Sequence, residues 1–324
     1  MRKLTSLALT AIVVLSGRNF VLASELRLYG DQELREAKQV YEPNIRAIFR
    51  QDLIRRLPHE QRYALSDVRL VMPLRGKHPL QFSARPNDRS VIAPVLSVKF
   101  LDELTIAWAW FHERGCRTEY LTSYLSLLLG FRKIDAGPLE AFNLPQSVIK
   151  NERVNSLSLK LHKTAVYFLL AHEAGHLFYG HRPYTGGPAS QQQEQTADDF
   201  ALSAMASVGV MPAGMIQYFI AAYMYEPLPD LDTWEFESGQ IAELTHPLTN
   251  TRVRRIADRI AMQPLDYAHS ERNLQLATQA VVYAAKQMAG IAEHMEHGGV
   301  RLYSAGWLTE HFPSSRFATA CPAR

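Results

Sequence analysis

His172, Glu173 and His176 stand in one short run, Ala171-His172-Glu173-Ala174-Gly175-His176-Leu177, inside the apolar stretch 165–179. On a helix, residues four apart share a face with Cβ atoms about 6 Å apart, so the two imidazoles can meet one tetrahedral ion. Glu173 then lies beside the ion, free to take a proton from water. The chemistry of such a set is hydrolysis by a metal-activated water. A buried helix that merely carries two histidines is the competing reading, and the residues downstream separate the two.

Zinc in a hydrolytic site takes three protein ligands and keeps one position open, so His172 and His176 need a partner. His181 and Glu194 are the candidates. A three-histidine site requires a glycine and a third histidine at set offsets, and Gly180 and His181 do not fall on them. On a continued helix the His181 side chain would face away from His172. It is therefore expected at the helix end, where a charged imidazole meets the dipole favourably. Glu194 follows a Gly/Pro turn that can double the chain back and bring its carboxylate to the two imidazoles. Asp198, one helical turn later, can accept the outer N–H of a zinc-bound histidine and fix its tautomer, a position for which Asp199 is less favoured. An ordinary first-turn acid that complements the helix dipole is the competing reading of Glu194.

The elements that must position these residues follow from periodicity and punctuation. A central helix is predicted from Asn155 or Ser156 to Tyr179 with Gly180 as its C-terminal cap. Ser190 and Gln193 form a capping box for a second helix over 191–207. Upstream, 24–57 reads as helix with Pro43 expected to break or kink it. Three apolar segments, 68–73, 80–84 and 91–98, read as strands joined by turns. Helical period returns over 100–111, ending near Gly115, and again over 120–131, with Trp108 and Trp110 taken as core. Downstream come an apolar helix over 212–225, a loop rich in Pro, Asp and Glu over 226–239, a helix over 249–262 and a last helix over 271–296. The fold class is α+β, mainly helical, with a small sheet next to the His172–His176 helix.

The 324 residues, 47% hydrophobic, suffice for one large domain or two modest ones. Met1-Arg2-Lys3, the apolar run 4–15 and Val21-Leu22-Ala23 form a signal-peptide pattern over 1–23. A periplasmic or secreted location follows, with an uncleaved membrane anchor as the alternative. Arg2, Lys3 and Arg18 lie in that leader, which holds no acid, so the remainder carries 32 basic and 32 acidic side chains. Such neutrality gives no electrostatic case for nucleic acid or an anionic membrane. No stable transmembrane segment is expected after the leader is removed. Cys116 and Cys321, the only cysteines, could pair in an oxidising compartment.

His172-Glu173-x-x-His176 followed by Glu194-x-x-x-Asp198 resembles the gluzincin metallopeptidases. Glu194-Gln195-Thr196-Ala197-Asp198 is similar to the E-x-x-A-D stretch of HtpX-type peptidases, the group that includes the CAAX prenyl proteases. Thr245-His246-Pro247 with Arg252 is similar to their THPxxxxR segment. The short linker between His176 and Glu194 and the lack of transmembrane helices depart from that group and leave a Lit-type peptidase branch open. The resemblance covers residues 165–260 and implies a zincin-like metallopeptidase; the domain is taken to extend over 59–324, after an N-terminal helical region 24–58. The resemblance also implies a zinc-dependent endopeptidase acting on polypeptides, with a role in envelope protein quality control. His172, His176 and Glu194 would hold Zn2+, and Glu173 would pass the water proton to the leaving amine. His246 would stabilise the oxyanion or block the open zinc position, against the alternative of a helix cap. A weakly active zinc-binding, chaperone-like protein is the rival function, and the intact Glu173 speaks against it.

Overall fold

The structure, a computed structural model, describes residues 28–130, 134–182, 187–225 and 248–297. The leader 1–23, the segment Thr245-His246-Pro247 and Cys321 therefore lie outside the described residues.

Helix α1, Asp31–Ala47, buries Leu34 and Ile45 on one face and continues through Pro43 rather than breaking there. The chain then widens into a π-helical segment, Ile48–Leu53, which buries the adjacent residues Ile48 and Phe49 together with Leu53. A π turn accommodates an extra residue, so it can present neighbours in sequence to the same core. A short helix α2, His59–Ala64, leads to three short strands: β1, Arg69–Val71; β2, Ser83–Arg85; and β3, Ser90–Ile92. The sheet order is β1-β3-β2, with β1 parallel and β2 antiparallel to β3. Leu70 and Ala84 flank Val91 on its two sides.

The stretch predicted as a third strand over 91–98 divides after Ile92. Pro94 sets the N-terminus of α3, Val95–Arg114, because its fixed φ and missing N–H suit a helix start. Helix α3 ends where Gly115 takes φ +64°, as expected. Helix α4, Glu119–Leu125, passes into a second π segment, Ser126–Gly130, and α5, Pro138–Ala141, follows.

Helix α6, Glu152–Phe178, is the axis of the molecule. It begins before the predicted start because Asn151 caps it, accepting from the backbone N–H groups of Arg153 at 3.0 Å and Val154 at 3.2 Å. From Ala165 to Leu177 every residue is buried. A helix apolar all round must be covered all round. Helix α3, β2, β3, α7 (Gly187–Val208) and α8 (Met215–Tyr225) supply the cover. Helix α7 starts earlier than the predicted capping box, so Ser190 is a buried residue within its first turns.

Helix α9, Asn250–Met262, is capped by Thr249, whose Oγ1 accepts from Arg252 N, and its Val253, Ile256, Ala257 and Ile260 face inward as the periodicity predicts. It pairs with the last helix, α10, Leu274–His297. One hydrophobic core runs from Phe49 through Phe100, Phe168 and Phe219 to Met288, with Trp108 and Trp110 packed against it. The fold is thus α+β and mainly helical, with a small sheet against the His172–His176 helix. No helix among the described residues is long and apolar enough to cross a membrane.

Candidate active site

His172 and His176 project from the buried half of α6, with their Nε2 atoms 3.1 Å apart and their rings edge to face. Bringing a third group there requires α7 to come close. Gly175 makes this possible: a Cβ on it would stand 3.1 Å from Phe200 Cβ and 3.2 Å from Ala197 Cα. The glycine of one helix therefore lies against an alanine of the next, and Glu194, one turn before Ala197, reaches both imidazoles. Its Oε2 is 3.3 Å from His172 Nε2 and its Oε1 is 3.4 Å from His176 Nε2. His172, His176 and Glu194 are 3%, 7% and 3% exposed.

These separations can be compared with what an ion demands. Ligand atoms about 2.0–2.1 Å from a tetrahedral centre lie about 3.3 Å from one another. The three observed separations, two of them to different oxygens of Glu194, fall close to that edge length, and the donor set, two imidazole nitrogens and a carboxylate, is one that borderline-soft divalent ions accept. The residues fit a metal ion. Among the described residues this is the one group of His, Cys, Asp and Glu side chains so converged.

The outer faces of the imidazoles are held differently. Asp198, fully buried, places Oδ1 2.9 Å from His172 Nδ1, where the sequence predicts it. Burial opposes a charge on His172, yet hydrogen bonds and attraction from Asp198 and Glu194 overcome it and push the pKa up to about 10. The two carboxylates thus favour positive charge at His172. Metal ions and protons compete for such a position.

His181 lies just past the end of α6, but not as the charge at the helix dipole expected from the sequence. Gly180 takes φ +63° and ends α6, the chain turns back, and His181 N donates to His176 O at 2.9 Å. Its ring comes edge to face with His176, Nδ1 to Nδ1 at 2.9 Å, and its Nε2 is 3.1 Å from Thr196 Oγ1. Burial and the neighbouring His176 lower its pKa to about 4, so it is neutral and gains nothing as a charge at the helix dipole. One tautomer set satisfies the whole chain: His176 Nδ1–H donates to His181 Nδ1, His181 Nε2–H donates to Thr196, and Thr196 donates to the carbonyl of Gln192 or Gln193. That set leaves His176 Nε2 unprotonated and directed at the ligand cluster.

Glu173 is 1% exposed. Together with Glu194 and Asp198 it acts on the half-buried phenol of Tyr218 in α8, whose pKa is raised by burial and by these carboxylates against the opposing pull of Arg252. The phenol stays a donor. Arg252 is fully engaged with the carboxylates: its Nε and Nη2 meet the two oxygens of Asp198 at 2.7 and 2.8 Å, and its Nη1 meets Glu194 Oε2 at 2.8 Å. Sequence reasoning had no signal for Tyr218, and for Arg252 only its place in the Thr245–Arg252 segment.

Such a constellation belongs to the class of sites that can seat a metal ion beside a carboxylate base. The class narrows on comparison with known proteins, because residues 140–271 match the family model Peptidase U49. That is the Lit-type peptidase family, a metallopeptidase family, and the branch that the sequence leaves open beside the HtpX type. The matched stretch includes α6 to α9 and every residue of the cluster, and it supports a peptidase. Nothing found is specific to the HtpX type. No curated protein and no solved structure matches the chain.

Proposed function

We propose that the protein is a zinc-dependent endopeptidase that cuts polypeptides with Glu173 as general base. The observation that carries the reading is the convergence of His172 Nε2, His176 Nε2 and Glu194 at tetrahedral-edge separations, next to Glu173. A zinc ion held by these three residues would lower the pKa of a water toward neutrality and polarise the scissile carbonyl.

The chain's own residues do the rest. Asp198 and His181 fix the two imidazoles from behind so that both Nε2 atoms face the cluster. The Glu173 carboxylate takes a proton from the attacking water and hands it to the leaving amine nitrogen, so no covalent enzyme intermediate is needed. An extended substrate has an edge to pair with in β2, which closes one side of the sheet and borders α6. For His246 the proposal rests on the Thr245-His246-Pro247 segment alone: it donates to the developing oxyanion or guards the open zinc position. The leader pattern over 1–23 motivates export, which would put the substrates among envelope or secreted proteins and suit a quality-control protease.

Metal analysis and a casein digest test this reading. Wild type should hold about one zinc per chain and His176→Ala much less. Glu173→Gln should keep zinc and fold while losing turnover about 100-fold or more, because an amide cannot accept the proton. Equal cleavage by wild type and Glu173→Gln would overturn the mechanism. Zinc-loaded wild type that cuts nothing would move the protein to the binding, chaperone-like function.

A further inference from the structure

Three arginines on one face of α9 reach across to α7. Arg252 takes Glu194 and Asp198; Arg255 takes the carbonyl of Gln195 at 3.2 Å and the Asp199 carboxylate; Arg259 takes Asp199 and, at 2.7 Å, Ser203 Oγ. The three contacts differ in depth. The side chains of Arg255, Arg259 and Asp199 are 35%, 36% and 33% exposed, whereas those of Arg252, Glu194 and Asp198 are 7%, 5% and 0% exposed. Exposed pairs contribute little beyond docking two helices. A buried guanidinium is too costly to place for docking alone, and here each of its three nitrogens has a carboxylate oxygen.

We propose that Arg252 is a positioning residue for the metal centre: it holds the Glu194 carboxylate against the two imidazoles and, through Asp198, sets the ring of His172. The inference rests on the zinc reading above and adds to it how the third ligand is oriented. Glu194 Oε2, 2.8 Å from Arg252 Nη1, is also 3.3 Å from His172 Nε2, and Oε1 is 3.4 Å from His176 Nε2, so the guanidinium fixes how the carboxylate faces the two imidazoles. The same guanidinium offsets part of the negative charge that Glu173, Glu194 and Asp198 bring into one buried space. Lysine could keep the charge but not the geometry, since a single ammonium cannot span Nε, Nη1 and Nη2.

Arg259→Ala is the built-in control, because Arg259 docks the same two helices without touching Glu194 or Asp198. Zinc affinity is measured on the full mature chain by competition with a chromogenic chelator, beside circular dichroism and thermal unfolding. Arg252→Lys should fold and bind zinc about 10–100-fold more weakly, the usual cost of losing a group that orients a ligand. Arg259→Ala should lower the melting temperature and keep zinc affinity within about threefold of wild type, the factor expected of a contact that reaches no ligand. Equal affinities for Arg252→Lys and wild type would overturn the proposal, and so would an equal loss in the two variants, which would leave docking as the whole effect. If Arg252→Lys does not fold, a crystal structure of zinc-loaded wild type decides: zinc on Glu194 with Arg252 still bridging Glu194 and Asp198 supports the proposal, and zinc on Glu194 with the Arg252–Glu194 contact broken refutes it. Failure of the zinc reading shows separately, as a wild type that binds no zinc in the same titration, and removes the proposal with it.

Discussion

His162 and His172 share helix α6, both are buried, and each lies beside an aspartate. His162 is 7% exposed with its Nδ1 3.8 Å from Asp102 Oδ1; His172 is 3% exposed with its Nδ1 2.9 Å from Asp198 Oδ1. Their protonation nonetheless moves in opposite directions. Burial lowers the pKa of His162, and Asp102, 3.8 Å away, together with a backbone hydrogen bond at Val98 recovers only part of that. At His172 two carboxylates, one on each ring nitrogen, more than cancel the same burial. A buried histidine with one distant acid is thus a neutral core residue. Only the convergence of several acids gives the same residue type a place in a group that could bind a metal ion, and α7 delivers that convergence to one end of α6.

The largest expected difference between the two regions is in metal content. His172→Ala and Glu194→Ala should each reduce zinc affinity by more than the roughly 10–100-fold that loss of an outer partner costs. His181→Ala should fall within that range, and His162→Gln should leave affinity at the wild-type value. Chelator competition ranks all four. A His162→Gln protein that loses zinc as His172→Ala does would dissolve the distinction, and a greater loss in His181→Ala than in Glu194→Ala would make His181 the third ligand.

Gly175→Ala should have an intermediate effect, since it tests how the site is assembled rather than what it contains. The added methyl would sit 3.2 Å from Ala197 Cα, a backbone atom that cannot rotate away. Overpacking costs about 1–3 kcal/mol and alanine returns about 1 kcal/mol of helix propensity. A net loss of about 0–2 kcal/mol should therefore accompany a severalfold loss of zinc affinity as α7 and Glu194 are pushed outward. Unchanged affinity with a lower melting temperature would show that Glu194 reaches the imidazoles without the close approach.

The parts of this site that are legible in the sequence are those fixed by helical spacing. His172, Glu173 and His176 on one helix and Glu194 with Asp198 on the next need only the 3.6-residue period and a turn between them. The stop at Gly180 is legible as well, but the contact of His181 with His176 is not, because it depends on how far the chain turns back after the left-handed glycine. Arg252 is hidden for another reason: it is one of 35 basic residues, and only the packing of α9 across α7 shows that its guanidinium is buried. In the fold, the strands are three residues each, too short for alternation to show, so the boundary between β3 and α3 rests on Pro94 rather than on hydrophobic pattern. The capping box at Ser190 misleads because Gly187-Pro188 already starts the helix, proline being well suited to a first turn.

The smallest expected effect separates the two histidines by pH, and the signs can be worked out for each. His162 has a folded pKa below the ordinary 6.5, so under acid conditions the unfolded chain binds the extra proton and the folded one does not. Its contribution is a loss of stability as pH falls below about 6.5, with a slope of at most about 1.4 kcal/mol per pH unit. His172, with chelator present, has a folded pKa raised to about 10, so its contribution is complete below 6.5 and is lost as pH rises toward 10. Tyr41, whose ring lies 6.1 Å from that of His162, has its pKa raised, so it stays neutral between pH 5 and 7 and does not mask the slope. Urea unfolding in chelator at pH 5 to 9, for wild type, His162→Gln and His172→Gln, isolates each slope as a difference between proteins. His162→Gln should narrow the gap between pH 5 and pH 7, and His172→Gln should narrow the decline from pH 7 to pH 9. If both variants flatten the same limb, the two histidines share one electrostatic environment, and the contrast on α6 between a core histidine and one in a group that could bind a metal ion fails.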